Sequence, residues 1–73
     1  MKGVIYKMLF QIINHKDNTV KAFADPIALK NEVQVITGSY DEAMYVLEWA
    51  RTPAIGSFRY DHDDFEILII GQE

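Results

Sequence analysis

Apolar positions alternate with period two at the start of the chain. From Val4 to Ile13 the even positions Val4, Tyr6, Met8, Phe10 and Ile12 are all apolar, and the odd positions Ile5, Lys7, Leu9, Gln11 and Ile13 are mixed. Such alternation among β-branched and aromatic residues predicts a strand over Val4–Ile13 with one fully apolar face. Asn14-His15-Lys16-Asp17-Asn18 follows. Asn and Asp tolerate left-handed backbone and bond locally, so this run predicts a turn. Thr19–Ala24 is the returning strand, and Asp25-Pro26 ends it because proline cannot donate to a ladder. An odd sum of paired positions sets Phe23 opposite Phe10 or Ile12. One face then carries Tyr6, Met8, Phe10, Ile12 and Phe23. The second carries Ile5, Leu9, Ile13, Val20 and Ala22, diluted by Lys7 and Gln11.

Ile27–Glu32 reads either as a short helical turn or as a continuation of the edge. Val33-Gln34-Val35-Ile36-Thr37 alternates again and predicts a short strand, broken by Gly38. Ser39-Tyr40-Asp41-Glu42 has the spacing of a capping box, in which each side chain satisfies one orphan amide at a helix start. Asp41 and Glu42 suit the positive end of the helix dipole and Arg51 the negative end, so the helix is predicted over Tyr40–Arg51, stopped by Thr52-Pro53. Pro53–Gly56 reads as a loop. Ser57–Asp61 and Phe65–Ile70 then read as a hairpin turning through His62-Asp63-Asp64. The expected fold is α+β, one domain over residues 1–73: a small antiparallel sheet of four to five strands packed on one helix, in the order β-β-β-α-β-β.

The faces carry the functional signal. At 100° per residue Tyr40, Ala43, Met44, Val46, Leu47 and Ala50 share one arc of the helix, the core side. The opposite arc holds Asp41, Glu42, Tyr45, Glu48 and Trp49. Tyr45 and Trp49 are four residues apart and so neighbours on the helix surface. An aromatic pair framed by three carboxylates either lies under a second layer, loop 52–56 for example, or is exposed as a protein-binding hot spot, because Trp and Tyr dominate such sites. On the last strand Phe65, Ile67 and Ile69 alternate with Glu66, Leu68 and Ile70, so both faces are apolar towards its end. One helix covers one sheet face, so either the sheet curls around the helix or closes on itself, or the second face is left for a homodimer or a partner.

Composition narrows the classes. With 73 residues the chain has room for one domain, and a domain of that size buries only about 60% of the surface its unfolded chain exposes. Cysteine is absent, which excludes disulfides and thiolate metal sites. Hydrophobic residues make up 49%, the share of a folded chain. No apolar run reaches the length of about 20 residues that spans a bilayer, and Met1-Lys2-Gly3-Val4 does not open a signal peptide, so a soluble cytoplasmic protein without membrane association is expected. The net charge of −4 is unevenly spread. Residues 1–30 carry Lys2, Lys7, Lys16, Lys21 and Lys30 against Asp17 and Asp25; residues 31–73 carry Arg51 and Arg59 against nine acids. If the two halves stay apart, the acidic side repels nucleic acid and attracts basic protein surfaces.

No pattern supports chemistry. Asp61-His62-Asp63-Asp64 holds carboxylate and imidazole groups of the kind that bind a divalent metal or move protons. Neighbours on an extended chain point to opposite sides, however, and a polar hairpin turn accounts for the run. Ser39 serves as a cap, Ser57 and the two histidines form no recognisable triad, and the glycines at 3, 38, 56 and 71 make no phosphate cradle. A single-stranded nucleic-acid binder would use the lysine-bearing first hairpin with Tyr6 and Phe10 as stacking platforms, although Lys7 falls on the other face. The expectation is a non-enzymatic protein-binding module without cofactor or metal. It would present Tyr45, Trp49, Asp41, Glu42 and Glu48 to a basic partner. In size, acidity and lack of catalytic signature the chain is similar to the small inhibitors encoded by phages and mobile elements, anti-CRISPR proteins among them. That likeness implies a nucleic-acid-handling host enzyme as target; it rests on composition and covers no motif.

Overall fold

A computed structural model describes residues 8–52 and 58–71. The elements are β1 (Leu9–Asn14), β2 (Thr19–Phe23), α1 (Pro26–Thr37), α2 (Tyr40–Arg51), β3 (Arg59–Asp61) and β4 (Phe65–Gly71). The four strands form one antiparallel sheet in the order β2-β1-β4-β3. The α+β class is as expected. Val4, Ile5, Tyr6 and Lys7, expected in the first strand, Pro53–Gly56, expected as a loop, and Ser57 lie outside the described residues.

Local chemistry builds the first hairpin. Phe10 pairs with Phe23 and Ile12 with Lys21, the odd-sum register. In the turn, Lys16 N donates to Asn14 Oδ1 at 2.8 Å, and Thr19 donates to Asp17 Oδ1 through its hydroxyl at 2.7 Å and its amide at 3.0 Å. The bonds from Thr19 hold the Asp17 carboxyl below its ordinary range. Asn18 takes the left-handed conformation, φ 62, that asparagine tolerates better than most residues.

The segment after β2 corrects the sequence reading. Val33–Thr37, expected as a strand, is the last part of α1, so the order is β-β-α-α-β-β with two helices. Asp25 caps the helix, accepting from Ile27 N at 2.9 Å, and Pro26 opens it with its preset φ. Leu29, Val33 and Ile36 stand at i, i+4 and i+7 and are all buried. A strand would have put Val33 and Val35 on one face. The helix buries Val33 with Leu29 and Ile36 and leaves Val35 80% exposed. Gly38 ends the helix at φ 70, and its amide donates to Gln34 O at 2.8 Å. The last turn of α1 has no basic residue of its own; Lys16, from the hairpin turn, donates through Nζ to Ile36 O at 2.8 Å. This places a cation at the negative end of the dipole.

Gly38-Ser39 folds α1 back onto α2. Ser39 Oγ accepts from Glu42 N at 3.1 Å, one half of the expected capping box. The other half is replaced: Ser39 N donates to Thr37 Oγ1 at 3.0 Å, and the Glu42 carboxylate turns to Tyr60. Ala43, Val46, Leu47 and Ala50 are buried. Tyr40, expected on the core arc, is exposed at the helix–helix corner with the Lys30 ammonium 5.3 Å from its ring centroid. Both helices cover one sheet face, where Phe10, Ile12, Phe65 and Ile67 join Leu29, Val33, Ile36, Ala43, Val46 and Ala50 in one core. Each fully buried aliphatic or aromatic side chain there contributes about 1.5–3 kcal/mol. The other face shows Leu9, Val20 and Ile70 exposed and carries an ionic cluster at one side. In it Arg59 meets Glu66 at 3.2 Å and Asp61 at 2.8 Å, and His15 lies 3.7 Å from Glu66. No helix among the described residues is long and apolar enough to cross a membrane.

Candidate functional site: the α2–β3 surface

The five residues expected to bind a partner fall into two groups. Asp41, Tyr45 and Glu48 stand at i, i+4 and i+7, so they form one stripe on α2, and all three are exposed, Tyr45 to 65%. Glu42 and Trp49 lie on the flank of α2 that faces β3 and are half-buried. Trp49 is therefore not on a free outer arc beside Tyr45. Its ring packs against the core, 6.0 Å from Phe10 and 5.4 Å from Tyr60. A helical wheel with a single buried arc does not contain the second neighbour, β3, which covers this flank.

β3 supplies what the sequence reading did not single out. Tyr60 pairs with Ile67, so it points to the helix side of the sheet. Its hydroxyl donates to Glu42 Oε2 at 2.6 Å, a short charge-assisted bond that ties the first turn of α2 to the sheet edge. Burial first, then the bond to Glu42 and its charge, raise the Tyr60 phenol above its ordinary range. Tyr60 and His62 each stack on Phe65, at 6.0 and 4.7 Å between centroids. Two residues before Tyr60 on the same side, Phe58 is 63% exposed, and its carbonyl accepts from Ile69 N at 2.9 Å. Tyr45, Trp49, Phe58 and Tyr60 thus belong to one side of the molecule. The spacing of Phe58 and Tyr60 in the predicted strand was the available signal; the contact of Tyr60 with α2 was not.

The electrostatic separation is a consequence of the sheet order. Residues 8–37 carry Lys16, Lys21 and Lys30 against Asp17, Asp25 and Glu32 and are balanced. Residues 38–71 carry seven carboxylates against Arg51 and Arg59, a net −5. β2 of the balanced half and β3 of the acidic half stand at opposite ends of the sheet, and the two halves meet where β1 pairs with β4. Arg59 is held by Asp61 and Glu66, which also favour its charged form.

The remaining constellations have structural employment. His62 Nδ1 accepts from Asp64 N at 3.0 Å, which closes the turn, and Nε2 lies 4.0 Å from Glu42. Among the described residues no three His, Asp or Glu side chains are grouped to hold a metal ion. In the first hairpin Phe10 is 1% exposed and has no free face for a base. Lys16 and Lys21 are engaged with Ile36 O and with Glu32, the latter at 3.2 Å. Tyr6 lies outside the described residues. No protein-family model matches the chain, and neither curated proteins nor solved structures show a significant match to it.

Proposed function

We propose that this chain is a small non-enzymatic module that binds a basic protein surface through α2 and β3. Tyr45 is the anchor, Asp41 and Glu48 its charged rim, and Phe58 a second exposed aromatic. Trp49 and Glu42 act from beneath, Trp49 by packing α2 on the sheet and Glu42 by fixing the angle of its first turn. The observation that carries the reading is Tyr45, 65% exposed between two exposed carboxylates on the half of the molecule with net charge −5. A rigid aromatic in an acidic field combines a hot spot with steering towards positive charge. Enzymes that handle nucleic acid present such positive surfaces. The likeness in size and acidity to phage and mobile-element inhibitors supports inhibition of a host enzyme of that kind, in the cytoplasm.

The test compares proteins captured from a host lysate by wild type, Tyr45→Ala, and Asp41→Asn with Glu48→Gln, at low and raised salt. A partner retained by wild type should be lost with Tyr45→Ala. The charge variant should weaken it most at low salt, where screening is least. If both variants capture it as well as wild type does, the surface is not the binding site.

A further inference from the structure

We infer that His62 is a pH-operated latch between the β3–β4 turn and α2: the neutral ring closes the turn, and the protonated ring releases it and closes on Glu42. The imidazole lies between two partners. Its Nδ1 accepts from Asp64 N at 3.0 Å, and its Nε2 stands 4.0 Å from Glu42 Oε1. A ring nitrogen that accepts an N–H carries no proton, so the neutral ring is fixed as the tautomer with its proton on Nε2, the side of Glu42. The two nitrogens point to nearly opposite sides of the ring. Movement towards Glu42 is therefore movement away from Asp64 N, and the turn bond holds the neutral ring back from the carboxylate. The gap of 4.0 Å is about 1.2 Å longer than a charge-assisted hydrogen bond.

A second proton enters at Nδ1, and the imidazolium then has two donors and no acceptor. The bond from Asp64 N is lost, and two N–H groups face each other across the turn. On the other side a positive ring faces a carboxylate, which draws Nε2 in. Phe65 provides the track: it stacks on His62 at 4.7 Å with 13° between the ring planes, so the imidazole can slide in its own plane and keep its neighbour. Tyr60 donates to the other oxygen of Glu42, Oε2, so one carboxylate can serve both residues.

The surrounding charges favour the imidazolium. Glu42 faces the ring from α2. The turn adds the carboxylates of Asp63 and Asp64, and β3 adds Asp61 and the Tyr60 phenol, which stacks on the same Phe65. Arg59 of β3 is engaged by Asp61 and by Glu66 of β4, and Glu66 also lies 3.7 Å from His15. His62 and Glu42 keep 29% and 21% of their side-chain surfaces exposed, so protons reach the pair from water. Histidine is the side chain that changes charge between about pH 5 and 8. Closing the latch adds a second tie from the sheet to the first turn of α2, at the expense of the turn bond. It follows from the geometry of this corner and does not depend on partner binding.

The full chain, isotopically labelled, is titrated by NMR from about pH 8 to about pH 5.5. At the upper end the His62 ring nitrogens should show the Nε2–H tautomer. As the ring titrates, the Asp64 amide proton should move upfield with the same midpoint, and nuclear Overhauser contacts between the ring and the Glu42 side chain should strengthen. His62→Phe keeps the stack on Phe65 without either nitrogen and should leave the Asp64 amide unresponsive over this range. Glu42→Gln keeps an acceptor for Tyr60, removes the charge and should lower the midpoint by about half a pH unit or more. His15→Gln should leave the Asp64 response in place. An Nδ1–H tautomer at the upper end, an Asp64 amide that does not follow the ring, or a midpoint unchanged in folded Glu42→Gln each overturns the proposal. The first two are read on wild type and need no variant to fold.

Discussion

Replacing Tyr60 by phenylalanine removes one bond and almost no volume, so it isolates the tie between β3 and α2. The bond is 2.6 Å long and runs from a phenol to a carboxylate. Hydrogen bonds to charged groups contribute about 1.5–3 kcal/mol net. Glu42 keeps 21% of its side-chain surface exposed, and water can reach it once the phenol is gone. The lower end therefore applies, a loss of about 1.5 kcal/mol. For a domain of this size that corresponds to a fall in Tm of about 6–12 °C. Urea unfolding of Tyr60→Phe, Glu42→Ala and the double variant measures the coupling directly, free of the helix effects of Glu42→Ala. A coupling near 1 kcal/mol is expected, and one below about 0.3 kcal/mol refutes the tie. pH gives a second readout. The phenol is raised in the folded state by burial and by Glu42, so the folded chain holds its proton more tightly than the unfolded chain does. The stability this represents is fully present below the ordinary tyrosine value of about 10 and is lost as pH rises above it. The stability difference between wild type and Tyr60→Phe should be level up to about pH 10 and shrink beyond.

Trp49→Ala, measured by urea unfolding, should cost about 2–3 kcal/mol, below the full-burial range because the ring is half-buried. Tyr45→Ala should stay within about 0.5 kcal/mol; equal costs would show that the two aromatics share one environment. At Gly38, alanine would meet no atom within 4 Å, so only the left-handed backbone resists it. Gly38→Ala should lower stability by about 1 kcal/mol and Gly38→Asn by less, read from the urea midpoints. Lys16→Met keeps the apolar stem but removes the ammonium from Ile36 O. It should cost about 0.5–1 kcal/mol at low salt, and insensitivity to this change would show that the contact does not cap α1.

The residues that hold α2 in place and those proposed to bind a partner are different. Ala43, Val46, Leu47 and Ala50 hold the helix on the core, and Trp49 and Glu42 hold its flank on β3. Asp41, Tyr45 and Glu48 remain free of that packing, so they can be changed without unfolding the chain. A domain of this length has a total stability of about 4–11 kcal/mol, and changes at these three exposed positions draw little on it.

The sequence by itself determined the parts whose cause is local. Turn residues Asn14 to Asn18 and the alternation on either side specified the first hairpin and the face Phe23 shares with Phe10 and Ile12; the structure chose Phe10 as its partner. Ser39 and the acidic first turn specified where α2 begins, and His62-Asp63-Asp64 where the second hairpin turns. Tertiary structure decided the rest. Val33–Thr37 fits a strand by its β-branched alternation and a helix by the spacing of Leu29, Val33 and Ile36. Burial of those three in the core against α2 and the sheet settles it, because packing exceeds weak intrinsic propensity. Glu42 leaves the capping box because Tyr60, 18 residues away, offers a stronger partner. Trp49 turns inward because β3 stands beside α2, a neighbour set by sheet order. Periodicity identifies which side chains share a face; only the assembled sheet identifies what each face meets.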